Sequence, residues 1–530
     1  MSLDILGSGS GDRGDVGGCE VTVVGAGVGG LAAAAYLADA GADVRVLEQH
    51  DRPGGHANRF VEDGYTFDTG PSWYLMPDVF ERFFGHFGRS PGEFYDLVHL
   101  DPHYRVFWKD GDRADVRPDM AHNRALFDSY EDGAGEALEA YLDEAEYTYE
   151  VGMDRFVYED RGRLRDFVDL DVLKSAPGLS LLGTMDGHVA GYVDHPKLRQ
   201  LLQYTLVFLG GSPYNTPALY NLLSHVDFNL GVYYPEGGMY SVVEGMVELA
   251  EDLGATVETG RPVRRIEPAG GDGLRVQTGA GLADGTSRGE RAGERGTRLQ
   301  VGTDGGAVTA DAVLSNANPA HVERELLPEG RREHGEGYWE GRTLAPSAYM
   351  LYLGVEGDVD PLAHHTLVLP TDWKSHFESI FEEPRWPEDP AYYVNVPSRT
   401  DDTVAPEGGH TVVVLVPIAP GLADDGPARE RFREQVLDDI AAHTGVDLRG
   451  RTVVEREACV SEFSSRYGDP RGSALGLAHT LRQTGPFRPD HRSDALEGLY
   501  YTGAYTRPGI GVPMCLISGE HAAEAVVADR

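Results

Sequence analysis

Glu20-Val-Thr-Val-Val24-Gly25-Ala26-Gly27-Val-Gly29-Gly30 is a short apolar strand that runs directly into a glycine turn. Residues 29–40, rich in alanine, continue as a helix, and Asp43-Val-Arg-Val-Leu-Glu48 reads as a second strand. Strand, turn, helix and strand in that order open a parallel βαβ unit. In the pattern G-x-G-x-x-G, Gly25 permits the tight turn and Gly27 lets the backbone approach a pyrophosphate. Gly30 lets the helix lie close to the strand, and the helix N-terminus supplies positive potential. Glu48, about twenty residues on, is the acid expected on the ribose hydroxyls. A glycine pattern alone would suit any tight turn; with the terminal acid it specifies a dinucleotide site.

The 530 residues are too many for one simple core and call for interleaved domains. The net charge is −40, and lysine occurs only at 109, 174, 197 and 374, so arginine supplies nearly all the positive charge. Acidity spread through every segment opposes nucleic-acid binding, which needs basic patches. It resembles the composition of proteins from salt-accumulating archaea. Cys19, Cys459 and Cys515 are odd in number and far apart, so they suggest neither a disulfide framework nor metal spacing, and a cytoplasmic location is the default expectation. Residues 1–18 lack an apolar core and read as a disordered leader. The uncharged run Gln200 to Ser224 is long enough to span a bilayer, but Gly210, Gly211, Pro213 and Pro217 within it argue against a membrane helix.

From Pro77 to about Ser224 the pattern is mostly helical. Residues 239–253 form an amphipathic helix, followed by strands at 256–259 and 262–267, then near 274–278 and 298–302 around an exposed loop from Gly279 to Thr297. Asp311-Ala-Val-Leu-Ser-Asn316 is a strand expected to rejoin the first sheet. A second strand-rich region covers about 346–458, and the tail has a strand at Leu499-Tyr-Tyr-Thr502 and a helix from about Leu516. The fold class is therefore α/β: a discontinuous Rossmann-type domain with an inserted mixed-sheet and helical substrate domain. We divide it into a leader (1–18), cofactor segments (19–76, 226–320, 481–530), a helical substrate region (77–225) and a further substrate segment (321–480).

Three motifs identify the dinucleotide by resemblance. Glu48-Gln49-His-Asp-Arg52-Pro-Gly54-Gly55-His56 resembles the E-x(3)-R-x-G-G-R signature of flavoprotein amine oxidases, protoporphyrinogen oxidases and carotenoid desaturases. The resemblance implies FAD, with Arg52 on phosphate and Gly54-Gly55 allowing close backbone approach. His56 stands where the family has arginine; Arg59 is the nearest candidate to compensate. Gly64-Tyr-Thr-Phe-Asp68-Thr69-Gly70-Pro71-Ser72 resembles the family segment that passes beside the flavin. Leu499-Tyr-Tyr-Thr-Gly503-Ala504-Tyr-Thr506-Arg-Pro-Gly-Ile-Gly511-Val512-Pro513 resembles the carotenoid desaturase ending, where a loop and a helix N-terminus stabilise charge at the flavin's pyrimidine end. Further matches at Gly210-Gly-Ser-Pro, Gly231 to Gly238, Gly472 to Gly476 and Phe487-Arg-Pro carry the resemblance from Val21 to Ala525. It places Val263 on the adenine side.

No Ser/His/Asp arrangement, zinc spacing or phosphate-transfer loop competes for the chemistry. The resemblance implies an FAD-dependent desaturase of a long isoprenoid such as phytoene or a later carotenoid, peripheral to the membrane that dissolves its substrate. A hydrocarbon needs an apolar tunnel, for which Leu201, Leu202, Tyr204, Leu206, Val207, Phe208, Leu209, Phe228, Tyr233 and Tyr234 are candidates. The resemblance also implies Asp171 as the candidate for handling a proton, since its spacing to Pro177 matches that of an acidic residue in related desaturases; a carboxyl facing such a tunnel is pushed towards neutrality. The alternatives are an amine or protoporphyrinogen oxidase, against which the Gly-x-Gly-x-Pro ending argues, and a prenyl-binding carrier without catalysis, against which Glu48, Arg52 and the terminal loop argue. The oligomeric state cannot be read.

Overall fold

The computed structural model describes residues 16–162, 183–269, 298–304, 306–480 and 482–530. The first layer is laid out by β1 (Glu20–Val24), α1 (Val28–Asp39), β2 (Asp43–Leu47), α2 (Pro77–His86), α3 (Tyr240–Asp252), β3 (Thr256–Glu258), β4 (Ala312–Ser315), β5 (Leu499–Tyr501) and α4 (Val512–Asp529). The five strands form one parallel sheet in the order β5-β4-β1-β2-β3. Val21 and Val23 of β1 lie beside Ala312 and Leu314 of β4 and beside Val44 and Val46 of β2. Strands buried on both faces carry apolar residues almost continuously, as β4 does, whereas Asp43 and Arg45 of β2 are exposed. The strand expected at 311–316 thus rejoins the first sheet, from nearly 300 residues away.

The alanine-rich sequence of α1 follows from its surroundings. Every residue from Val28 to Ala38 is buried, because α1 is packed by the sheet, α3 and α4. A Cβ built on Gly519 of α4 would stand 2.6 Å from the Ala32 Cβ and 2.8 Å from the Gly29 carbonyl oxygen. Only small residues allow helices to approach so closely. α3 is amphipathic, as its period indicated, and buries Val242, Val243, Met246, Leu249 and Ala250. α2 adds Phe80, Phe83 and Phe84 to the same core, although it falls in the segment read as the substrate region.

The second layer is a seven-stranded mixed sheet in the order Thr452–Ala458, Ser347–Glu356, Gly409–Ile418, Tyr392–Asn395, His365–Leu369, Tyr104–Trp108, Arg113–Val116. All neighbours are antiparallel except His365–Leu369 against Tyr104–Trp108. Two of these strands correct the expectation that 77–224 is mostly helical. Tyr104-Arg-Val-Phe-Trp108 alternates side chains with period two, and Lys109-Asp-Gly111 turns it back into Arg113–Val116. A three-stranded antiparallel sheet joins Val263–Pro268, Leu299–Thr303 and Gly306–Ala310. The expected strand at 274–278 and the loop 279–297 lie outside the described residues, as do Asp171 and the leader up to residue 15. Among the described residues no helix is long and apolar enough to cross a membrane.

Candidate active site

A cavity of about 1350 Å³ extends from the carboxyl ends of β1 and β2 to the seven-stranded sheet. Ligands of open parallel sheets bind at the carboxyl ends of the strands, where strand order reverses, and β1, with neighbours running off on both sides, is that point here.

Around the glycine turn the cavity wall is mostly backbone. Gly25 has φ +94° and Gly54 and Gly55 have φ +115° and +59°, conformations that favour glycine. Asn316, directly after β4, fills the centre of the motif. A Cβ on Gly27 would stand 2.4 Å from the Asn316 amide nitrogen, and one on Gly29 2.8 Å from its oxygen. A Cβ on Gly30 would stand 2.2 Å from the Gly25 carbonyl oxygen, so here the turn itself excludes a side chain. Glu48 is 4% exposed; its Oε2 accepts the Ala26 N–H at 2.8 Å and its Oε1 the His50 N–H at 2.9 Å. The carboxylate is thereby aimed along the mouth of the turn with lone pairs to spare for hydroxyl donors.

Gly25, Gly27, Gly29, Glu48, Gln49, Gly54, Gly55, His56, Thr69, Gly70, Pro71, Ser72, Val263, Ala504, Gly511, Val512 and Pro513 line the cavity. The structure thus brings together motifs nearly 500 residues apart. Ala26, Gly30, Arg52, Asp68, Gly503 and Thr506 do not line it. Gly503 and Thr506 sit behind the wall, with the Gly503 N–H donating to Ser518 Oγ and the Thr506 hydroxyl 2.9 Å from it. Asp68 is half-buried and accepts the Met239 and Tyr240 N–H groups at 2.7 and 3.3 Å; desolvation pushes its carboxyl up to about 7 despite those donors. Its work is to cap the start of α3. Arg52 is exposed and donates to the Arg59 carbonyl, while Arg59 pairs with Glu244 over the Tyr240 ring. Neither lines the cavity; the arginines that do are Arg161, Arg264, Arg466 and Arg507. His56 stacks on Tyr467 at 3.9 Å between ring centroids and meets Asp469 Oδ2 at 2.9 Å. Asp469 Oδ1 in turn accepts from Asn318 and Tyr505, so the residue replacing the family's arginine is tied into a polar wall.

The far part of the cavity is built from apolar side chains. Trp73 contributes from the loop before α2, Met153, Phe156, Leu222 and Leu223 from the helical region, and Met350, Leu367, Leu369, Tyr393 and Leu415 from the mixed sheet. Of the ten tunnel candidates, Tyr204 and Val207 line it. Leu201, Leu202, Leu206 and Phe228 are core residues, as is Tyr234, and Tyr233 packs against the first core. The side chains of Phe208 and Leu209 are outside the described set. The candidates were drawn from one continuous run, whereas the wall is assembled from strands and helices far apart in sequence.

One acid behind this wall escaped the sequence reading. Asp227 is 1% exposed, and its two oxygens accept the hydroxyls of Tyr204 and Tyr104, each at 2.8 Å. Burial raises its carboxyl to about 7, against the lowering effect of both phenols. The signal is present in Ser-His-Val-Asp227-Phe-Asn-Leu, whose aspartate is the only acid between Asp194 and Glu236.

The flavin containing amine oxidoreductase family profile matches residues 28–527. A carotenoid 3,4-desaturase of Haloarcula japonica is 57% identical over 516 residues, 97% of this chain and 99% of the relative. A zeta-carotene-forming phytoene desaturase of Myxococcus xanthus is 34% identical, covering 96% and 94% of the two chains. The chain belongs to the carotenoid desaturase branch of the flavin containing amine oxidoreductases. Its fold is also that of solved structures: an oxidoreductase from Methanosarcina mazei (TM-score 0.59, 17% identity, 95% of this chain and 100% of that one) and a putrescine oxidase bound to putrescine (0.57, 17%, 96% and 99%). Membership makes this protein an FAD-dependent oxidoreductase acting on CH–CH groups, and the structure accommodates the cofactor. Gly25, Gly27, Gly29, Gly54 and Gly55 present backbone to the cavity, Glu48 presents a carboxylate at the turn, and the first turns of α1 and α4 both line it.

Proposed function

We propose that this protein introduces a carbon–carbon double bond at the 3,4 position of a carotenoid. The observation that carries the reading is one continuous cavity whose two ends differ in chemistry: a glycine and helix-terminus wall joined to a chamber of aromatic and aliphatic side chains. The 57% identity to a carotenoid 3,4-desaturase over nearly the whole of both chains supports this position over an earlier step on phytoene. The cofactor residues are those motif-marked residues that line the cavity, with Glu48 as ribose acceptor and Ala504 and Gly511–Pro513 at the ring end.

FAD, when bound, supplies the two-electron acceptor for hydrogen leaving carbon. The chain's own residues orient the hydrocarbon and exclude water, since an apolar wall offers a polyene shape and dispersion contacts rather than hydrogen bonds. They must also hold a proton. The Tyr204 hydroxyl donates to Asp227 within the cavity wall, so a proton exchanged at Tyr204 can be balanced at a carboxyl whose affinity is set near neutrality. Asp227 acts through Tyr204 and is a positioning residue. Asp171 remains the competing candidate; Asp171→Asn and Asp227→Asn, compared at matched FAD content, separate the two. Peripheral contact with a membrane is part of the proposal, because the substrate dissolves there. Anaerobic mixing of the FAD-loaded protein with carotenoid-bearing liposomes should bleach the flavin absorption, and a water-soluble amine should leave it unchanged. The reverse pattern would favour the oxidase reading.

A further inference from the structure

Outside the cofactor wall, three segments far apart in sequence place ligating groups together. Asp160 follows the turn Met153–Val157, His491 precedes β5, and His521 lies on α4. One ligand atom from each lies within 4.8 Å of the other two. His491 is fully buried and His521 is 3% exposed, with their rings edge-on at 5.8 Å.

The backbone fixes the tautomer of both rings. His491 Nδ1 faces the Tyr501 carbonyl at 3.0 Å, and His521 Nε2 faces the Tyr158 carbonyl at 3.2 Å. A carbonyl can only accept, so each of those nitrogens carries the proton. Burial holds both rings neutral, with His491 pushed down to about 4. The remaining nitrogens, His491 Nε2 and His521 Nδ1, are bare lone pairs, fully buried and without a hydrogen-bond partner among the described residues. Two buried, unpartnered acceptors in one cluster are costly unless something electron-poor satisfies them. Imidazole held by a backbone carbonyl through its second nitrogen is the usual arrangement of a metal-ligating histidine.

The surrounding charge is mixed, and Arg507 is the cation that acts on both rings. Arg507 pairs with Asp160 at 2.7 and 3.2 Å but is also 3.3 Å from Asp490, so its charge is shared between two carboxylates. Glu520, which pairs with Arg82, and Glu524 stand nearby on α4, and Asp160 and Glu520 help to raise the Glu524 carboxyl. Asp160, Arg507 and His521 line the main cavity, which gives an ion a way in.

We infer that Asp160, His491 and His521 form a binding site for a divalent transition cation of the kind that prefers imidazole, such as Zn²⁺ or Co²⁺, clamping the segment before residue 163 to α4 and the strand that leads into the cofactor loop. The site does not depend on the carotenoid reading. The test uses untagged, FAD-loaded protein, stripped with a chelator and dialysed against Co²⁺. One equivalent should bind, give ligand-field absorption in the visible range, and be displaced by Zn²⁺. His491→Gln and His521→Gln should each lose that absorption with FAD content retained, and the bound Co²⁺ should raise the wild-type melting temperature. Asp160→Asn, at the more exposed edge, should weaken Co²⁺ binding by at least about tenfold and decides the matter if either histidine variant fails to fold. Failure of both Co²⁺ and Zn²⁺ to bind the wild type would overturn the site, as would Co²⁺ absorption unchanged by these substitutions.

Discussion

The two ends of the main cavity are made in opposite ways. Around Gly25–Gly30, Gly54-Gly55 and Gly511, recognition is carried by backbone atoms, and the side chains that matter are few and locked. Glu48 is pinned by two N–H groups, and Asn316 is wedged among three glycines. At the other end the wall is side chain, drawn mostly from the helical region and from four strands of the mixed sheet. The first end is tight, because a new Cβ on Gly30 or Gly54 meets a backbone carbonyl oxygen at 2.2 Å and one on Gly27 or Gly29 meets Asn316. The second can exchange volume for volume, because its neighbours are the flexible tips of other side chains. A cofactor with phosphates and a ribose requires the first kind of wall, and a hydrocarbon requires only the second.

Substitutions at the two ends should therefore differ in kind as well as in size. The largest effect is expected from Gly30→Ala, whose new Cβ would lie 2.2 Å from the Gly25 carbonyl. Opening the turn should cost at least about 4 kcal/mol, on the order of a thousandfold in FAD affinity by fluorescence titration. Near-normal affinity would show that the turn is not the rigid element described. Asp227→Asn should lower turnover by about a hundredfold with FAD content unchanged. It should also alter stability against pH. The folded state keeps the Asp227 proton up to about pH 7, whereas the unfolded chain releases it near 4, so stability falls as pH rises through that window. Asp68 contributes in the same sense, and the fall measured by chemical denaturation should be shallower, not absent, in Asp227→Asn. An identical slope would place Asp227 outside this account. The smallest effect belongs to the apolar end. Leu223→Ala should raise KM about tenfold, from loss of about 1.5 kcal/mol of apolar contact, and leave FAD affinity untouched. Loss of flavin in that variant would erase the distinction between the ends.

The same contrast explains what could be read from the sequence. The cofactor end is local: Gly25 to Glu48 is one βαβ unit, and Gly503 to Pro513 is one loop, so spacing alone marks residues that line a common wall. Even there, Asn316 was passed over, because its partners are glycines with no side chain to signal a contact. Arg52 was credited with a phosphate contact by resemblance, yet its side chain turns outward to the Arg59 carbonyl. The apolar end is non-local. A buried leucine in a core and one in a cavity wall have the same periodicity, and so Leu201 and Leu206 were grouped with Tyr204, which does reach the cavity. Two strands at 104–116 were hidden among helices, since their partner, His365–Leu369, lies some 250 residues downstream. The cluster of Asp160, His491 and His521 has no spacing to read at all.

The proposed function requires the apolar chamber to hold a carotenoid so that hydrogen leaves it for the cofactor bound at the glycine wall. The direct measurement is incubation of the FAD-loaded protein with a carotenoid in lipid, followed by chromatography and mass spectrometry of the pigment. The expected result is a product with one further double bond, at the 3,4 position, formed by the wild type and slowed by Leu223→Ala without loss of flavin. Carotenoid recovered unchanged, from protein whose flavin is reduced by a water-soluble amine, would contradict it.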